Sequence, residues 1–565
     1  MIQAIQPLAP PNALFAPLAQ AQAQAFVQAP VNQTPADRLV LRPLKAGIPA
    51  TGIFAGIPAA TTVAEAKQWR AAREKAVVQA WLDQPLENWE GWSYHPELKR
   101  SEPGGTAGTV AYRSNAILMA GADATRINQV LKTGTVYSGV GTHFVPFSPL
   151  AKVIARNGDY DFTLMALTTL TNRHWNNPAL APDTKKHLAT VLLNQEGADH
   201  IKQRWLLGLV PETENHILMT ESSRYLKNQL VQQHGLEYSS SKLPAAAYDN
   251  QANGFNDWFV NHLSSFVRED FNEYNSRPYQ AYSVKSIQNL YEFASDPKVQ
   301  KSAHIVMDFL SARFATQSSE LRRVVPFRRR WNYRGDDNIL PRDSEANRHA
   351  VLIGNYGSAM TDPAQPDPFS RGYAISGAGS GYQVPDAIAD ILIGKGSNPY
   401  FMRAHHRNTE IVYAEKEFTI SAGGHYHNMY KMPGTKEENG IPLPTVVMLK
   451  DGGPLLSHML RFLGRGDNDR INNTGVFENF AFGIRPTVPD DWKSSLAPAG
   501  KWLENGPWTF IEKDGTYIAL HRQAQSSPKD YASSVGFSEV VDKKEFPSLA
   551  AFSQRVLQLN PRPFN

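Results

Sequence analysis

The chain has 565 residues, no cysteine and a nearly balanced charge, with 57 Lys and Arg against 53 Asp and Glu. Disulfides, thiol nucleophiles and cysteine-ligated metals are excluded, and a net charge of +4 makes no general case for nucleic-acid binding. Apolar residues make up 42%, enough for packed cores. The length requires more than one core, and no run of about 18 apolar residues is present to cross a bilayer.

Residues 1–60 are rich in Ala, Gln and Pro and read as an extended N-terminal arm. They lack the basic start and apolar centre of a signal peptide. A helix fits Val63–Leu82, and Trp89–Tyr94 reads as loop, as does Pro103-Gly104-Gly105. Helical patterns follow over Asp161–Asn172, Thr184–Leu207, Asn215 to a stop at Gly235, and Phe255–Phe271. Asp296-Pro297 supplies an N-cap and a first-turn proline. Val299, Ala303, Val306, Leu310 and Phe314 then mark one buried face. After about residue 340 the pattern becomes strand-like, at Glu410–Tyr413, Phe418–Ile420, Thr445–Met448 and Trp508–Ile511. Lys513-Asp514-Gly515 is a turn signal ahead of Tyr517–Leu520, and a short helix fits Ser548–Leu559. This gives a multidomain α+β chain, with an arm over 1–60, a helical domain over 61–335 and an antiparallel β domain over 336–565.

Two segments carry the chemistry. Glu214-Asn215-His216 opens one helical run, and Arg277-Pro278-Tyr279-Gln280-Ala281-Tyr282 opens another. An amide donates to an anion without competing for protons, and an imidazole beside it donates or acts as base. A helix N-terminus also favours an anion through its backbone N–H groups. Tyr279 and Tyr282 are three residues apart and share a helix face. A phenol has an unperturbed pKa near ~10, and a neighbouring Arg277 or Arg268 would lower it. Without further context, a helix cap and two core tyrosines are the plainer reading of the same residues.

Other clusters are less determinate. Arg322-Arg323, Arg328-Arg329-Arg330 and Arg334, interleaved with Trp331 and Tyr333, fit either a groove for a polyanion or a hinge paired with Asp336 and Asp337. His425 and His427 alternate onto one strand face, with His405-His406-Arg407 nearby. A divalent metal there would need a third ligand, which the sequence does not identify, and a cleft lining fits as well. Gly377–Gly381 lacks the strand-to-helix frame of a nucleotide fingerprint.

The Asn215-His216 pair, the Tyr279-x-x-Tyr282 motif and the order of helices before strands resemble the polysaccharide lyases and heparinase-like proteins that join an (α/α) toroid to an antiparallel β-sheet domain. The resemblance is to the alginate lyase branch over about residues 140–320, and extends loosely through Glu478–Gly483 and Gly506–Ile511. It implies an incomplete (α/α) toroid followed by an antiparallel β-sandwich. The implied activity is β-elimination on a uronic-acid-containing anionic polysaccharide. In that reading Asn215 and His216 neutralise the carboxylate, Tyr279 transfers the proton and Arg277 supports it. Tyr282, Arg268, Glu214, His405, His425, His427 and Arg330 are the substrate-binding expectations. No cofactor, metal, nucleic acid or membrane is required, and a secreted or periplasmic location suits such an enzyme. The alternatives are a glycoside hydrolase on the same scaffold, which needs two flanking carboxylates, and a non-catalytic carbohydrate-binding protein.

Overall fold

A computed structural model describes residues 62–83, 90–94, 107–141, 158–198, 203–205, 210–274, 279–319, 322–323, 368–395, 398–404, 410–423, 443–450, 452, 458–462, 475–523 and 535–560. Within these the chain is a mixed α+β protein in which helices dominate the first part and two antiparallel sheets the second. The expected N-terminal arm lies outside the described residues, as do Arg277, Arg328–Arg330, Arg334, His405, His406, Arg407, His425 and His427.

The helices are α1 (Val63–Leu82), α2 (Ala107–Ala120), α3 (Ala124–Thr133), α4 (Asp161–His174), α5 (Pro182–His187), α6 (Glu214–His234), α7 (Phe255–Glu269), α8 (Tyr279–Phe293) and α9 (Pro297–Thr316). Sequence signals set several ends. Asp296 caps α9 by accepting from the N–H groups of Lys298 and Val299. Gly235 ends α6 at φ 120°, a conformation that penalises any Cβ. The long helix expected over Thr184–Leu207 is instead α5 and one wide turn, Leu188–Leu192, and the chain then leaves the helix at Leu193 (φ −86°, ψ 71°). Gly197 follows in the left-handed region at φ +81°. Trp92, expected in a loop, is buried and donates its indole N–H to the Val130 carbonyl at 3.0 Å. Ser93–Tyr94 (β1) pairs in parallel with Thr135–Val136 (β2). Four further short strands form two antiparallel pairs: Gln203–Trp205 (β3) with Val210–Pro211 (β4), and Ser318–Ser319 (β5) with Arg322–Arg323 (β6).

Two more helices, α10 (Pro368–Gly377) and α11 (Asp386–Gly394), follow residue 335 yet belong to the helical core. Their Tyr373, Ile375, Ala389 and Leu392 are buried with Leu167, Leu218, Ile287 and Leu310. Apolar faces at helical spacing explain the placement, because each must be covered by another helix. The packing succession runs α1, α2, α4, α8, α9, α11 and returns from α11 to α1. Within it, α6 lies against α4 and α8.

The first six-stranded sheet has the order β14-β11-β10-β9-β8-β7, from Pro486–Thr487, Leu460–Phe462, Leu443–Leu449, Phe418–Gly423, Glu410–Ala414 and Tyr400–Ala404. The second has the order β12-β13-β18-β17-β16-β15, from Gly475–Phe477, Phe480–Ile484, Val535–Asp542, Thr516–Arg522, Trp508–Lys513 and Trp502–Asn505. All neighbours in both are antiparallel. The Asp514-Gly515 turn closes the β16–β17 hairpin with both residues at positive φ, 46° and 80°, as a two-residue primed turn requires. Alternation sends Phe418, Ile420, Val447 and Phe462 of one sheet into a single core with Ile511, Ile518, Leu520 and Val540 of the other. Helix α12 (Asp490–Leu496) adds Trp492 to that core. The outer face of the second sheet takes Leu549, Phe552 and Val556 of α13 (Leu549–Leu559) against Phe510, Tyr517 and Val541.

The end of α9 ties the helices to the first sheet. Arg313 pairs with Asp270 and, at 2.5 Å, with Glu410 on β8, and its guanidinium lies 4.1 Å from the Tyr274 ring centre. All three charged groups are buried. The Tyr400 hydroxyl donates to the Thr316 carbonyl at 2.8 Å, and Lys395 Nζ donates to the Ala315 carbonyl at 2.9 Å.

Candidate functional site

Asn215 and His216 are the second and third residues of α6, after a Thr213 whose backbone is extended. Asn215 is fully buried. Its Oδ1 accepts from the Thr213 hydroxyl at 2.8 Å, which fixes the amide plane and turns Nδ2 the other way. Nδ2 is buried with no hydrogen-bond partner among the described residues. An amide nitrogen held in this way can donate to an anion brought against the start of α6.

The backbone N–H of Asn215 is already taken by Glu273 Oε2 at 3.0 Å. The anion-binding capacity expected of this helix start is therefore partly filled by the protein's own carboxylate. Glu214 is turned the same way. It accepts from the backbone N–H groups of Asn272 (3.2 Å) and Glu273 (3.1 Å). Burial, with Glu273 beside it, raises its pKa to about 8. Glu214 thus anchors the 270–274 segment to α6.

His216 donates from Nδ1 to Asp161 Oδ2 at 2.5 Å. Asp161 opens α4 and is fully buried, and its other oxygen accepts the Gly141 N–H at 3.1 Å. Gly141 sits at φ 83°, where a side chain would be strained, so the loop can present its N–H there. Burial alone would push the imidazole pKa down. Asp161 outweighs it, helped by Glu212 and Asp159, and the net shift is upward.

Aromatic contacts connect this pair to the second motif. The Phe162 ring meets His216 edge-on at 5.2 Å and Tyr282 at 4.6 Å, and Tyr282 meets Tyr279 at 6.4 Å. Tyr279 opens α8, and both tyrosines keep partial exposure. Tyr282 packs on the helical core and lies 5.9 Å from Tyr373 of α10. Behind them Lys285 is fully buried, its Nζ 4.0 Å from the Tyr112 ring centre and 5.7 Å from that of Tyr373. Burial drives its pKa well below the usual lysine range, Arg173 adds to this and Glu292 opposes it.

A relay of ring contacts thus runs from His216, next to Asn215 on α6, through Phe162 of α4 to Tyr282 and Tyr279 of α8. Arg268 lies exposed on the last turn of α7 and makes no hydrogen bond or ring contact with either tyrosine among the described residues. Asp161, Phe162 and Lys285 were not singled out from the sequence. An Asp at a helix start reads first as a cap, and a Phe and a Lys inside amphipathic runs carry no local signal. No group of three His, Asp or Glu among the described residues is arranged to hold a metal ion. No described helix is long and apolar enough to cross a membrane. No protein-family model matches the chain, and no curated protein matches it.

Proposed function

We propose that the protein is a polysaccharide lyase that cleaves a uronic-acid-containing anionic polysaccharide by β-elimination, on an incomplete (α/α) toroid followed by an antiparallel β-sandwich. The closed succession of helix contacts from α1 round to α11 supports the toroid. The single core shared by two antiparallel sheets supports the sandwich. The observation that carries the function is the buried Nδ2 donor of Asn215, without a hydrogen-bond partner among the described residues, beside an Asp-paired His216, with a tyrosine cluster leading away from it.

Removing the proton next to a uronate carboxylate places a second negative charge on the carboxyl oxygens. The Asn215 amide and the His216 imidazole supply donors where that charge grows. Tyr279 carries the proton and returns it to the leaving oxygen, with Arg277 favouring the phenolate. Tyr282 and Arg330 contact the polymer, as do His405, His425 and His427 from the β part. A screen over alginate, glucuronan, hyaluronan, chondroitin and heparin-like polymers tests this. The expected result is an ultraviolet-absorbing unsaturated uronate from at least one of them.

A second reading has its own observation. Glu214 and Glu273 are adjacent carboxyls, one raised to about 8, which is the disparity a glycoside hydrolase uses. Their oxygens, however, are engaged by the backbone N–H groups of Asn215, Asn272 and Glu273, which suits an anchor better than an acid–base pair.

A further inference from the structure

We propose that Asp161 is a positioning residue that keeps His216 as an imidazolium, Nδ1–H on the carboxylate and Nε2–H as a donor for an anionic group. The inference deepens the lyase reading, on which its catalytic half rests. It gives His216 the part of donor and leaves proton transfer to the tyrosine.

The argument begins with Asp161. Its carboxylate is fully buried, and its hydrogen-bond partners among the described residues are one peptide N–H, from Gly141, and His216. A buried carboxylate with no cation beside it is costly, and breaking such a pair is strongly destabilising. His216 is the one cation available to it among the described residues. Among the described residues, the other charged groups that bear most on the imidazole have the same sign as Asp161. Asp159 precedes α4 and Glu212 precedes α6. From α8 the ring faced across Phe162 is the phenol of Tyr282, and Glu273 reaches the neighbouring Asn215 backbone.

Three carboxylates around one imidazole favour the charged ring, and the net upward shift of its pKa agrees. With Nδ1 held at 2.5 Å, the proton on Nε2 is on the far edge of the ring from Asp161. An imidazolium in that state has no lone pair with which to act as base. It can only donate, which is what a substrate carboxylate needs.

The test is an NMR pH titration of the His216 imidazole in the full chain, with its signal assigned by loss in His216→Gln. In the unmodified protein its midpoint should lie above the ordinary histidine value of about 6.5. Asp161→Asn should lower the midpoint by at least about one unit, a tenfold change in the protonation equilibrium. Asp161→Glu, which keeps the charge, should restore most of the shift. On a cleaved polymer the alkaline limb of the pH–rate profile should move down by the same amount in Asp161→Asn. A purely structural role for Asp161 would leave that limb in place.

A wild-type midpoint at or below the ordinary value overturns the proposal even if Asp161→Asn does not fold. An unmoved midpoint in a folded variant overturns it too. Either result leaves the lyase reading standing. A shifted midpoint with no polymer cleaved upholds the Asp161–His216 pair and removes the lyase reading.

Discussion

Replacing Arg313 with Met should cost the protein about 3–5 kcal/mol, the usual penalty for breaking a buried ion pair by removing one partner. The structure makes the case unusually direct. Arg313 is 4% exposed and pairs with two carboxylates, Asp270 on the helical side and Glu410 on β8, both buried. Met fills much of the side chain's volume and keeps an apolar contact with Tyr274, so most of the loss is the charge left on the two acids. Gln317 still donates to Glu410 at 3.3 Å, which softens the penalty without removing it. The assay is urea unfolding followed by tryptophan fluorescence, with Arg313→Met alone and combined with Asp270→Asn and Glu410→Gln. The combined variant should regain at least half of the loss, because its acids no longer carry charge. A single variant within about 1 kcal/mol of wild type, as for a solvent-exposed pair, would refute the view that this triad fastens the helices to the sheet.

Three further outcomes are expected. Tyr279→Phe keeps the ring's contact with Tyr282 but removes the hydroxyl. Steady-state kinetics should show turnover abolished with polymer binding intact, whereas near-normal turnover would shift the proton to Tyr282. Asn215→Ala removes a donor aimed at developing charge and should lower kcat about a hundredfold, or ~3 kcal/mol, with a melting temperature at or below wild type because the acceptor of the Thr213 hydroxyl goes with it. Glu214 has a folded pKa raised to about 8, above an unfolded value near 4.5. Its contribution is thus fully present below about 4.5 and lost as pH rises towards 8. Chemical unfolding at pH 5 and pH 8.5 should show the wild type weakening at the higher pH, and Glu214→Gln should flatten that difference.

The periodic elements were legible because their signals are local. Val63–Leu82 runs as a helix over the span its composition indicated, and Asp296-Pro297 opens α9 as a capped, proline-started helix should. Asp514-Gly515 makes its hairpin because only residues tolerant of positive φ can close two twisted strands. The helix expected over Thr184–Leu207 failed because continuous apolar spacing says nothing about a chain that turns at Leu193 and again at Gly197. Helices α10 and α11 were missed for a related reason. Short, glycine-rich runs such as Pro368–Gly377 become helical by packing against α1 and α2 rather than by their own propensity. The site divides in the same way. Asn215, His216, Tyr279 and Tyr282 could be picked out as short motifs at helix starts. The Asp161 carboxylate that holds His216 is 55 residues away in sequence and became visible only when α4 and α6 were packed together.

The central claim is that the bond breaks by elimination, and the most direct measurement is the structure of the new chain end formed in heavy-oxygen water. Elimination takes no oxygen from solvent. The expected product carries a conjugated unsaturated uronate at its non-reducing end, is one water lighter than a hydrolysis product, and contains no heavy oxygen at the cut. A saturated non-reducing end, with one heavy oxygen on the anomeric carbon of the new reducing end when sampled before that hemiacetal exchanges with solvent, would contradict the account and favour hydrolysis, and tight binding of every uronate polymer with no cleavage of any would leave only a carbohydrate-binding protein.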